Sequence, residues 1–156
     1  MAQKTNAMRI LDAKKIAYKH YEYDPETTDG LLVAGLLGQP REKVFKTLVT
    51  VAATRNNYVF VIPVGETLDL KKAAKTVSEK SLSMIKQKEL LPLTGYIHGG
   101  CSPIGMKKQF KTVIHTSAQS QKTICVSAGH VGNQIELSTI ELSELVGAEF
   151  ADLIVQ

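Results

Sequence analysis

Two β-branched, largely apolar runs, residues 44–53 and 58–64, are separated only by the polar stretch Arg55-Asn56-Asn57. Runs of this composition and length favour a pleated, half-buried surface, and the polar break between them reads as a turn. A β-hairpin is therefore expected, with 44–53 as a central strand, and everything else must pack around a sheet. With 156 residues, 44% hydrophobic and 22% charged, the chain can close one sizeable core but not two ordinary ones. One domain spanning 1–156 is expected.

Thr5 or Asn6 can cap a first helix in which Met8 and Leu11 share a face. Residues 16–23 read as a strand, Asp24-Pro25 as a turn, and 31–37 as a buried helix ending at Gly38. Pro40 suits the first turn of a short helical segment. Asp69 or Thr67 can cap a helix through Val77 that carries Lys71, Lys72 and Lys75. Residues 81–85 read as a short strand, 87–91 as a helical turn, and 96–98 as a strand. Residues 112–115 and 122–127 then alternate like strands around the polar segment 117–121. Ser138 with Glu141 forms a capping box opening a last helix that Gly147 closes. Strands and helices interspersed this irregularly predict a mixed α/β sheet rather than a doubly wound one.

Nineteen basic against fifteen acidic side chains leave a net charge of +4, a modest tilt toward anionic partners. Cys101, Cys125 and the four histidines show no zinc-ligand spacing, so no metal or other cofactor is expected. The two cysteines read as free thiols in a reducing cytoplasm. No apolar run has the length of a signal or membrane span, so a cytoplasmic protein is expected.

Three places could carry chemistry. Lys46, inside Val-Phe-Lys-Thr-Leu-Val, shares a strand face with Val44 and Leu48. An ammonium there either snorkels to water or meets an anion, because leaving it dry and unpaired costs several kcal/mol. The loop Gly99-Gly100-Cys101-Ser102-Pro103-Ile104-Gly105 either makes a tight connection or brings backbone N–H groups against a ligand. Ser102 is a poor nucleophile candidate, since Pro103 behind it has no N–H for an oxyanion. Cys101 could act as a thiol nucleophile, although no motif places a histidine beside it. Ser127, before the turn Ala-Gly-His-Val-Gly, either hydrogen-bonds a substrate or closes the turn. His130 in that turn reads as a surface residue, and the three lysines of the third helix as a solvated face or an anion site.

Taken together and in order, Val-Phe-Lys-Thr-Leu-Val, Leu-Asp-Leu-Lys-Lys-Ala-Ala-Lys, Gly-Tyr-Ile-His-Gly-Gly-Cys-Ser-Pro-Ile-Gly and Val-Ser-Ala-Gly resemble the YbaK family over nearly the whole chain. That family comprises aminoacyl-tRNA deacylases similar to the editing domain of bacterial prolyl-tRNA synthetases. The resemblance implies a single mixed α/β domain with a strongly bent, barrel-like sheet flanked by helices. It implies a trans-editing enzyme that removes cysteine from mischarged Cys-tRNA(Pro), with aminoacylated tRNA as substrate and prolyl-tRNA synthetase as a partner in a ternary complex. Lys46 matches the family's key lysine, and Thr47 follows it. Gly99, Gly100, Cys101, Ser102 and Pro103 match the G-x-x-x-P loop facing the aminoacyl group. Ser127 matches a pocket serine, and Tyr21 a tyrosine near the site.

The chain departs from the family pattern in three places. Thr28-Asp29 stands where an aromatic residue is expected, Gln134 where some members have an acid, and Cys101 where the loop has a branched aliphatic residue. The alternatives are a deacylase preferring Ala-tRNA(Pro), a non-catalytic tRNA- or nucleotide-binding module of the same fold, and a thiol hydrolase using Cys101. For the main reading, the resemblance implies attack by the substrate's own thiol on its ester. Such a reaction needs no protein nucleophile, because intramolecular positioning can lower a barrier by about 7–11 kcal/mol.

Overall fold

The computed structural model describes residues 4–24 and 30–156. The turn at Asp24-Pro25 and the Thr28-Asp29 departure therefore fall wholly or partly outside the described residues. Helix α1 (Asn6–Ala13) starts where Thr5 Oγ1 accepts the Met8 N–H at 3.2 Å, and it buries Ala7, Met8 and Leu11. Strand β1 (Tyr18–Glu22) follows, then α2 (Gly30–Leu37). Helix α2 is less enclosed than its composition predicts: Val33 and Ala34 are buried, but Leu32 and Leu36 are 64% and 60% exposed. An all-apolar helix lying over one sheet face can bury only one of its own faces.

After a 3-10 turn (Arg41–Lys43) come β2 (Phe45–Ala52) and β3 (Asn57–Pro63), paired antiparallel from Phe45↔Pro63 to Val51↔Asn57. Arg55, at φ 75°, makes the turn. The hairpin is as expected, but its central strand is β3. Val59, Phe60, Val61 and Ile62 are fully buried, whereas Lys46, Thr47 and Leu48 on β2 are half-buried. The reason is topological. Helix α3 (Leu70–Thr76), capped by the Asp69 carboxylate, leads to β4 (Leu82–Met84), which pairs with β2 only near its end, at Thr50 to Ala52. The first half of β2 thus keeps an open edge.

Helix α4 (Gln87–Thr94) precedes the glycine-rich loop, and β5 (Lys111–His115) then enters parallel to β3. The expected strand at 96–98 is absent: the Tyr96 N–H goes to Thr94 Oγ1 and the Gly100 N–H to the Ile97 carbonyl, forming turns instead of a ladder. Strands β6 (Thr123–Ser127) and β7 (Asn133–Ser138) are followed by α5 (Thr139–Val146), capped by Ser138 and closed by Gly147 in the left-handed region. Strand β8 (Glu149–Ala151) adds itself parallel to β5.

The strands form a five-stranded mixed sheet, β4-β2-β3-β5-β8, and a three-stranded antiparallel sheet, β1-β7-β6. A single parallel bridge, Val44↔Cys125, joins them, so the barrel-like expectation resolves into two linked sheets that do not close. Their facing sides, Phe45, Val49, Val59, Val61 and Ile114 against Ile124, Val126, Ile135 and Leu137, share the main core with α1 and α5. The outer face of the larger sheet, with Phe60, Ile62 and Val113, packs on α3 and Leu153. The outer face of the smaller sheet carries Tyr21, Gln134 and Glu136. It is here, beside the open half of β2, that a cavity forms.

Candidate active site

The cavity measures about 160 Å³, below the roughly 300–1,000 Å³ usual for sites that enclose drug-sized ligands. It has room for a small acyl group, with anything larger left outside. Its floor is the first half of β2, with Val44, Phe45, Lys46, Thr47 and Leu48. His98, Gly99 and Cys101 wall it from the glycine-rich loop, and Ser127 and Gln134 from the smaller sheet. Tyr23, Val33, Val64 and Leu90 complete it. Period-2 geometry explains part of this: Ser127 and Gln134 are cross-strand partners, so their side chains stand side by side on one face.

Two buried polar atoms in this wall, Thr47 Oγ1 and Gln134 Oε1, have no hydrogen-bond partner among the described residues. Such a group costs about 1–3 kcal/mol if left unsatisfied. Together with the half-buried Lys46, they make the cavity a receptor for a polar group that offers donors and carries negative or developing negative charge.

Lys46, Thr47, Gly99, Cys101 and Ser127 thus meet at one cavity from three separate stretches of chain. The other candidates lie behind it. Gly100 is buried against the 130–131 turn, where a Cβ would come within 2.9 Å of the Val131 nitrogen, and its own N–H closes the turn onto Ile97. It shapes the wall and has no N–H to spare. Ser102 is fully buried and its Oγ accepts the Ile104 N–H at 3.2 Å; Pro103 is buried beside it. Gly99, at φ 85°, turns the chain past the cavity in a conformation that side chains rarely adopt.

Tyr21 is set back as well. Its hydroxyl donates to Glu136 Oε1 at 2.7 Å and accepts from Gln39 Nε2 at 3.3 Å. Burial by itself would raise the Glu136 carboxyl. The hydrogen bonds from Lys43 (2.6 Å), Thr123 (2.6 Å) and Tyr21 outweigh it and hold the group down at about 2. This network fixes the β7 backbone one pleat away from Gln134.

Sequence reasoning did not find Tyr23 or His98. Tyr23 lies just past the end of β1, two residues beyond Tyr21, and that spacing was the available signal. His98 sits in a segment that sequence alone reads as a strand.

Among the described residues, no protein nucleophile is poised in the wall. Burial pushes the Cys101 thiol up to about 12, so it stays protonated at neutral pH. Ser127 Oγ accepts the Gly129 N–H at 3.1 Å, and His130 points to solvent outside the cavity. Among the described residues no three His, Cys, Asp or Glu side chains are grouped to hold a metal ion, and no helix is long and apolar enough to cross a membrane.

The two-sheet α/β fold is shared with known proteins. The aminoacyl-tRNA editing domain model matches residues 25–145, and the chain belongs to that family. It is 46% identical over 153 residues, 97% of its length and 93% of the relative's, to an Enterococcus faecalis protein provisionally named Cys-tRNA(Pro)/Cys-tRNA(Cys) deacylase EbsC. Among solved structures it matches hypothetical protein APE2540 with a TM-score of 0.85 at 25% identity, covering 93% of this chain and 96% of that one. A structure described as a provisional trans-editing enzyme for prolyl tRNA synthetase matches with a TM-score of 0.85 at 24% identity, covering 99% of this chain and all of the other.

Proposed function

We propose that this protein is a trans-editing deacylase that removes cysteine from mischarged Cys-tRNA(Pro), with the chain acting as a single editing domain. The observation that carries the reading is the cavity itself: Lys46, Thr47 and Gln134 present a cation and two unsatisfied polar atoms to a space the size of an aminoacyl group. The name of the E. faecalis relative supports the same substrate.

In this mechanism the cysteine Sγ of the substrate attacks its own ester carbonyl carbon. An S–C bond forms, the C–O bond to the terminal ribose breaks, and the thiol proton ends on the released tRNA hydroxyl. The product is a cyclic thiolactone, which water later opens. Lys46 stabilises the charge that develops on the carbonyl oxygen, and Gln134 Oε1 accepts a hydrogen bond from the substrate's amino group. The protein thus supplies position and electrostatics, consistent with a Cys101 thiol that stays protonated. Prolyl-tRNA synthetase is the source of the mischarged substrate and, in this account, a partner in a transient ternary complex.

The test is a deacylation time course on Cys-tRNA(Pro) and Ala-tRNA(Pro). Rapid loss of cysteine with slow loss of alanine is expected. Loss of neither would reject the enzyme, and faster loss of alanine would reject the substrate assignment.

A further inference from the structure

The ester cavity leads into two troughs along α4. His98 is a wall of the cavity and also of an open trough of about 410 Å³ lined by Gln87, Lys88, Leu91 and Ile97. Lys88 in turn belongs to a second trough of about 580 Å³ that reaches Arg55 at the β2–β3 turn. Leu91 and Ile97 are each 52% exposed, apolar surface flanked by an imidazole and by cations. The acid on this path, Glu89, is committed to its own helix, where its carboxylate accepts the Lys86 N–H at 3.3 Å.

We infer that this path from His98 through Lys88 to Arg55 seats the single-stranded 3′ end of the aminoacyl-tRNA; the inference rests on the deacylase reading above. Three features of the path match a single strand. The ester cavity is too small for a nucleoside, so the strand must leave it past His98, whose exposed ring offers a stacking surface for a base. Leu91 and Ile97 offer apolar contact to base faces further along. Lys88 lines both troughs and Arg55 the second, and both are exposed cations able to offer countercharge to backbone phosphates.

The test is the double variant Lys88→Gln/Arg55→Gln, which leaves the cavity wall untouched. Single-turnover cleavage of Cys-tRNA(Pro) is measured across a salt series, with cysteinyl-adenosine as a substrate that fills the cavity but carries no phosphates. For the variant, kcat/KM on Cys-tRNA(Pro) at low salt should fall at least tenfold. Its log–log salt slope should flatten by about 1.4, the value for two lost single-strand phosphate contacts. Cleavage of cysteinyl-adenosine should be unchanged. A variant that matches wild type in rate and slope on Cys-tRNA(Pro) overturns the path while leaving the deacylase reading intact. A defect that appears only when prolyl-tRNA synthetase is added also overturns it, because the face then docks a protein. Wild-type protein that cleaves neither substrate rejects the deacylase reading, and this inference with it.

Discussion

Lys46 lies half-buried on the floor of the cavity, where its ammonium would meet the carbonyl of an ester bound there. Lys46→Ala should keep the fold, since β2 is held by its register with β3, yet lose about 10²–10³-fold in deacylation rate, the usual scale for removing one oxyanion contact. A folded variant with normal turnover would reject the role. Cys101 is the contrasting case. With its thiol pushed up to about 12, Cys101→Ser should retain most activity, and abolition would revive a protein-thiol mechanism. Gln134→Leu separates stability from binding. It removes an unsatisfied buried acceptor, so thermal stability should hold or rise while kcat/KM drops about tenfold. A destabilised variant with normal kinetics would show that Gln134 is structural. Lys46, Thr47, Gly99, Cys101 and Ser127 were legible because each sits inside a short motif. Tyr23 and His98 were not, because lining a cavity depends on where distant segments cross, which local spacing does not encode.

At the scale of elements, β7 does the most positioning and was the least legible. The alternation Gln134, Ile135, Glu136, Leu137 has the period of a strand, with Ile135 and Leu137 turned into the core. Its Gln134 and Glu136 face is buried, with Lys43 of the 3-10 turn paired to Glu136, a partner far away in sequence that local spacing does not reveal. β8 has only three residues and owes its existence to pairing with β5. Caps were more legible, because Thr5, Asp69 and Ser138 act within one turn.

The Glu136 network gives a signed pH prediction. Its carboxyl lies at about 2 in the fold against an ordinary 4.5. The network's stabilisation is therefore complete above about pH 4.5 and is lost as pH falls toward 2, by about 3 kcal/mol in all. Denaturant titrations between pH 5 and 2 should show this slope in wild type and a shallower one in Glu136→Gln; parallel slopes would contradict it. On α3, Lys72 is tied to Asp152 at 2.9 Å and to the Ile154 carbonyl at 2.8 Å, so it anchors the C-terminal segment. Among the three lysines of that helix, Lys71 and Lys75 are the exposed pair. Neutralising them tests the helix as a tRNA surface: an unchanged salt slope of binding would leave it a solvated face.

Over the whole molecule, two sheets meet at one bridge among the described residues and leave a small cavity beside an open strand edge. The cavity's size suits a small acyl group, and among the described residues of its wall no protein nucleophile is poised. Both point to a substrate that brings its own. The most direct measurement compares Cys-tRNA(Pro) with Ser-tRNA(Pro) under single-turnover conditions and identifies the first product released. A cysteine thiol ionises near pH 8.5, whereas an aliphatic hydroxyl of almost the same volume scarcely ionises at neutral pH. Fast release from the cysteinyl ester with a thiolactone as first product, and much slower release from the seryl ester, is the expected result. Equal rates on both esters, with free amino acid as the only product, would contradict it.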